Sequence, residues 1–69
     1  MTELIFLIED DPSGGYNARA LGYAIFTQGD TWDEVVANVR EAAEVYFDTP
    51  DKMPKVLRLH YVRDEVLSL

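Results

Sequence analysis

Sixty-nine residues, 48% of them apolar, with thirteen acids against six bases, make a small chain of net charge −7 and pI near 4.3. The length bounds it to one domain, 1–69, and the charge sets it against free nucleic acid and anionic membrane surfaces, both of which are bound mainly through Lys and Arg. There is no cysteine for a disulfide and one histidine, His60, too few soft ligands for a zinc site; a chain this short buries only ~60% of its unfolded surface, so its fold rests on an efficient core or on self-association.

The first element is Leu4–Ile8, LIFLI, apolar throughout and rich in β-formers. Such a run predicts a strand covered on both faces, or a central strand with a partner against its outer side. It is too short for a membrane span or a signal segment, and the expected compartment is the cytoplasm. EDDPSGG follows, and Pro12, Ser13, Gly14 and Gly15 make it a turn. Glu9, Asp10 and Asp11 gather where the strand ends. Tyr16–Leu21 then alternates, with Tyr16, Ala18 and Ala20 on one face and Asn17, Arg19 and Leu21 on the other, the period of a half-buried strand. Gly22 interrupts, and Tyr23–Thr27 resumes as a third strand, so that the three run as a meander.

Gln28-Gly29-Asp30 closes the sheet segment, and Thr31-Trp32-Asp33-Glu34 fits a capping box. The Thr31 hydroxyl accepts from the Glu34 amide while the Glu34 carboxylate reaches back. Asp30, Asp33 and Glu34 also set negative charge at the positive end of the helix. Val35, Val36, Val39, Ala42, Ala43, Tyr46 and Phe47 recur at three- and four-residue steps, an apolar stripe that Pro50 stops near Asp48. Asn38, Arg40, Glu41 and Glu44 fall opposite, with Arg40 one turn from Glu44 and placed to pair with it. Val56–Val62 alternates again, Leu57, Leu59 and Tyr61 against Arg58 and His60, and predicts a fourth strand before the tail RDEVLSL. The expected fold is α+β, a three- to four-stranded sheet with one helix packed on one face, in the order β-β-β-α-β.

No nucleophile motif, phosphate loop or metal-ligand spacing is present. Gly14-Gly15 precedes no helix and so cradles no phosphate. A two-metal nuclease built from Glu9, Asp10 or Asp11 with Glu41 or Glu44 and Asp64 needs carboxylates converging on the ions. The LIFLI strand carries none, and Glu41 and Glu44 lie on the solvated helix face. His60, on a strand beside Arg58 with no Ser or Cys signature, reads as a structural or surface residue rather than a general base. Trp32 stands off the apolar stripe in the first helical turn. Two readings are open for it: a staple against the sheet edge, or an aromatic anchor at an interface. Tyr23, Ile25 and Phe26 together are more apolar than a two-faced edge strand needs, which fits a partner groove or a self-association edge.

The order and spacing resemble the HicB-like antitoxin family, the inhibitory half of bacterial toxin–antitoxin pairs. The resemblance is carried by the opening apolar strand, Gly14-Gly15-Tyr16 with Ala18-Arg19, Gln28-Gly29-Asp30-Thr31 leading to Asp33-Glu34, and Asn38 to Tyr46 with its Glu41-Ala42 pair. It covers about Leu4 to Asp48. It implies a partial ribonuclease-H-like domain and a role in binding and occluding a small basic HicA-like toxin that cleaves messenger RNA. Family members often carry a Pro-x-x-Pro-Gly-Cys-like corner where this chain reads Ala20 to Ile25, ALGYAI, and many carry a C-terminal DNA-binding domain, which is not expected here. The expectation is therefore a non-catalytic interaction module without cofactor or metal, itself a dimer or tetramer. Glu9, Asp10, Asp11, Asp30 and Asp33 steer the partner, and Tyr23, Phe26 and Trp32 bury area against it. The alternatives are a divalent-metal nuclease remnant and a stand-alone homo-oligomeric scaffold or ligand-binding protein without a toxin.

Overall fold

The computed structural model describes residues 2–69. Five elements follow in chain order: β1 Glu3–Asp10, β2 Tyr16–Ala20, β3 Phe26–Gly29, α1 Trp32–Tyr46 and β4 Val56–Val62. The sheet order is β3-β2-β1-β4, with β1–β2 and β2–β3 antiparallel and β1–β4 parallel. The fold is α+β, and its β-β-β-α-β order is the one expected from the periodicities.

Central placement explains the apolar β1. Leu4, Phe6 and Ile8 point to the helix side and are at most 2% exposed, while Ile5 and Leu7 lie half-buried on the other face. The second face carries no layer among the described residues, so cover on both faces is not what LIFLI supplies here. The core joins these three to Ala18 and Ala20 of β2, Ile25, Val35 and Val39 of α1, and Phe47. Burial of each large apolar side chain stabilises by about 1.5–3 kcal/mol.

The turn before β2 closes through the Asp11 N–H to the Gly15 carbonyl at 3.0 Å and the Gly14 N–H to the Asp11 carbonyl at 2.9 Å. Gly15 sits at φ 80°, and a Cβ there would lie 2.5 Å from the Gly29 carbonyl oxygen. Glycine is required on both counts.

The third strand corrects the expected Tyr23–Thr27. Residues 21–25 form a turn instead, with Gly22 at φ 85° and the Ala20 N–H donating to the Ile25 carbonyl at 3.0 Å. Ile25 drops into the core, and pairing starts at Phe26 and runs on through Gln28 and Gly29.

The helix begins as predicted: the Glu34 N–H donates to the Thr31 hydroxyl at 3.1 Å. The Glu34 carboxylate reaches the Asp30 N–H at 2.9 Å, one residue before the cap. Val35, Val39 and Ala43 are buried, Val36 and Ala42 half-buried and Tyr46 exposed. The helix ends at Tyr46, with Phe47 capping back to the Ala43 carbonyl. Arg40 does not pair with Glu44; the ion pairs among the described residues are Arg58–Glu3 and Arg63–Asp10.

The helix packs over β3 and β2, leaving Leu57 and Leu59 of β4 half-buried. Residues 63–69 are exposed throughout. No described helix is long and apolar enough to cross a membrane.

Candidate functional site

The topology collects five element ends at one end of the sheet. Asp10, the last residue of β1, pairs with Tyr16, the first of β2, and Tyr16 pairs with Gly29, the last of β3. Glu9 pairs with Val62, the last of β4, and α1 starts at Trp32 three residues after β3. The short connections there carry Asp11 and Asp30, and the first turn of α1 carries Asp33 and Glu34. Glu9, Asp10, Asp11, Asp30, Asp33 and Glu34 therefore share one end of the molecule, with Arg63 the nearby base.

Three rings pack together at the same end. Trp32 stands 5.5 Å from Tyr16 and 5.4 Å from Tyr61, and Tyr16 stands 5.8 Å from Tyr61, in edge-to-face or tilted arrangements. Such pairs add about 0.5–1.5 kcal/mol each beyond burial. Trp32 is both packed and presented: it lies against the two tyrosines and is still 38% exposed. The Tyr61 hydroxyl donates to Asp10 Oδ1 at 2.6 Å, and Arg63 Nε lies 3.6 Å from Asp10 Oδ2. The bond to the Asp10 carboxylate holds the Tyr61 hydroxyl above its ordinary pKa.

Asp11 is held differently from its neighbours. Its Oδ1 accepts from the Ser13 hydroxyl at 2.5 Å and the Ser13 N–H at 2.8 Å, and its Oδ2 accepts from the Asn17 amide at 2.8 Å. The Ser13 hydroxyl, then the Ser13 N–H and Asn17, hold this carboxyl below the usual carboxylate range. Asp11 contributes charge to the site, but its geometry is committed to the turn.

Six of the eight residues proposed from sequence thus meet at one end: Glu9, Asp10, Asp11, Asp30, Trp32 and Asp33. Tyr23 and Phe26 do not. Tyr23 lies at the far end of the sheet, 5.9 Å from the Tyr46 ring and 5.5 Å from the Phe47 ring. Phe26 projects from the uncovered sheet face, opposite Arg19 and 73% exposed, and lines a shallow groove with Leu7, Glu9, Arg19 and Gln28. Tyr16 and Tyr61 were not singled out. Alternation placed each on the inner face of its own strand, but only the pairing of those strands around β1 brings the two rings together.

Glu41 and Glu44 lie on the exposed side of α1 and Asp64 in the tail. Among the described residues no group of three or more His, Asp or Glu is placed to hold a metal ion. His60 is exposed on the uncovered face, across from Leu7. The site as built concentrates negative potential beside rings that can bury area or take a cation on their faces.

A UPF0150 protein of Thermotoga maritima is 33% identical to this chain over 67 residues, covering 97% of this chain and 93% of the relative. A UPF0150 protein of Archaeoglobus fulgidus is 42% identical over 53 residues, 77% of each. No family model and no solved structure matches the chain.

Proposed function

The chain belongs to the UPF0150 family, and from that premise we propose that it is a non-catalytic interaction module that covers a small basic protein with the acidic, aromatic end of its sheet. The observation that carries this reading is that six carboxylates share the end of the molecule where three rings pack on one another, with Asp10 bonded to one of them and Trp32 at the surface. Attraction between such an end and a basic partner raises the encounter rate, and the aromatic side chains supply the area that holds the complex. The resemblance to HicB-like antitoxins supplies the partner class, a HicA-like messenger-RNA-cleaving toxin of the cytoplasm, and occlusion of its active surface is the mechanism.

Trp32 is the chain's one tryptophan, so its fluorescence reports the contact. The test is titration with the purified product of the neighbouring reading frame. The expected result is a basic partner whose binding shifts the Trp32 emission and weakens steeply with salt. Asp30→Lys with Asp33→Lys should cost more than about tenfold in affinity, since like charges set face to face in an interface cost several kcal/mol. Affinity indifferent to both salt and charge reversal overturns the reading, as does RNA cleavage by this chain alone with Mg²⁺ or Mn²⁺.

A further inference from the structure

We propose that residues 64–69 are a second arm of the partner contact: an extended strand donated to an exposed sheet edge of the same basic protein. Asp64 and Glu65 face its bases, and Leu67 and Leu69 bury against apolar surface beside the edge. The inference rests on the partner reading above and adds to it a segment that the reading does not use.

The segment leaves the body at the acidic end. β4 runs parallel to β1, and its last residue, Val62, pairs with Glu9. Asp64 and Glu65 therefore follow directly on the end that carries Asp10, Asp30 and Asp33. Arg63, the base just before them, already pairs with Asp10. From Val56 to Leu69 the sequence has no glycine or proline to turn it back.

The segment is also uncovered. Val66 is 94% exposed, Leu67 74% and Leu69 fully so. Among the described residues no hydrogen bond or ion pair ties 64–69 to the body. The molecule measures 52 Å on its long axis against 19 and 18 Å on the others. A strand such as β1 is roughly 26 Å long and a helix such as α1 roughly 22 Å, and much of the remaining length is this projecting segment. Side chains alternate along an extended chain. Glu65, Leu67 and Leu69 then share one face, and Asp64, Val66 and Ser68 share the other. A strand edge accepts this pattern: main-chain bonds hold the added strand, and alternate side chains fill pockets beside it.

Charge selects the occupant. Residues 64–69 hold two acids and no base. A second copy of the chain meets them with like charge at the end from which they emerge. Its Lys52 and Lys55 precede β4, at the other end of the sheet, where the Lys55 N–H bonds the Thr2 carbonyl. Its Arg58 and Arg63 are already paired, with Glu3 and Asp10. A protein with bases around an open strand edge is attracted by the acidic end and by the segment together, so one partner engages both.

Titration of the intact chain with the purified basic product of the neighbouring reading frame, read by calorimetry, tests this. Leu67→Ser with Leu69→Ser, both at exposed positions outside the core, should keep the circular dichroism and weaken binding by at least about tenfold. Asp64→Asn with Glu65→Gln should make the salt dependence shallower. Successive N–H groups of a strand point to opposite edges, and proline removes the N–H while leaving the residue before it extended. Val66→Pro and Leu67→Pro, each compared with alanine at the same position, should therefore act unequally, one of them costing at least about tenfold. Undiminished binding by the serine variant, or two prolines that act alike, overturns the donated strand. If charge reversal at Asp30 and Asp33 is still costly in that case, the partner reading stands without the arm. A chain that binds no basic partner overturns both.

Discussion

Asp11 directs both carboxylate oxygens into its own turn, toward Ser13 and Asn17. Those bonds favour the charged form, so the folded pKa lies below the unfolded value near 3.8. The stabilisation is fully present above that value and is lost as pH falls through the lower, folded one. Asp11→Asn should therefore flatten the acid limb of a thermal-melting series run downward from pH 5; identical limbs would remove Asp11 from the acid response. Tyr61 works in the opposite sense. Its bond to Asp10 raises its pKa above 10, so its contribution is present below 10 and fades as pH rises through the folded value. Tyr61→Phe should weaken the fold at neutral pH and abolish the late phenolate in an alkaline absorbance titration. Gly29 has no conformational reason to be glycine, but a Cβ there would lie 2.5 Å from the Val35 backbone nitrogen. Backbone cannot swing aside, and Gly29→Ala should cost about 1–3 kcal/mol in a urea titration. That is a large share of the ~3–5 kcal/mol available to a domain of this size.

Among the elements, α1 was the most legible. Its cap, stripe and stop are all local: Thr31 bonds Glu34, and Val35, Val39 and Ala43 bury on one face. Thr31→Ala should cost about 1 kcal/mol, measured by the same urea titration. The strands were legible through alternation, except where apolar composition imitated it. Tyr23-Ala24-Ile25 reads as strand, yet the left-handed Gly22 turns the chain, and Ile25 goes to the core while Tyr23 goes to the helix end. No local pattern announces which strands neighbour one another. The parallel pairing of β4 with β1 was therefore out of reach, and with it the meeting of Tyr16, Trp32 and Tyr61. The acids of the site could be found because they cluster at the end of β1, in the connections beside it and in the first turn of α1; two of its three rings could not. The Asn38 amide bond to the Gln28 carbonyl was equally hidden. Asn38→Ala removes the tie between helix and edge strand and should speed amide exchange in β3 ahead of β2.

At the scale of the molecule, charge is sorted rather than spread. Acids crowd one end of the sheet, while four of six bases lie between residues 52 and 63. Repulsion among surface carboxylates is screened over a Debye length of about 10 Å at 0.1 M salt. The melting temperature should rise as sodium chloride increases, and a fall would show that the surface ion pairs of Arg58 and Arg63 outweigh the repulsion. The order of the sheet also governs when it can form. The strand at its middle leaves the ribosome well before its parallel neighbour, with Arg58 and Glu3 separated by fifty-five positions. Until Val62 has emerged, the nascent chain carries an open, strongly apolar β1 flank. Premature termination anywhere before Val56 would release a polypeptide whose most adhesive backbone has nothing to pair with but another unfinished copy.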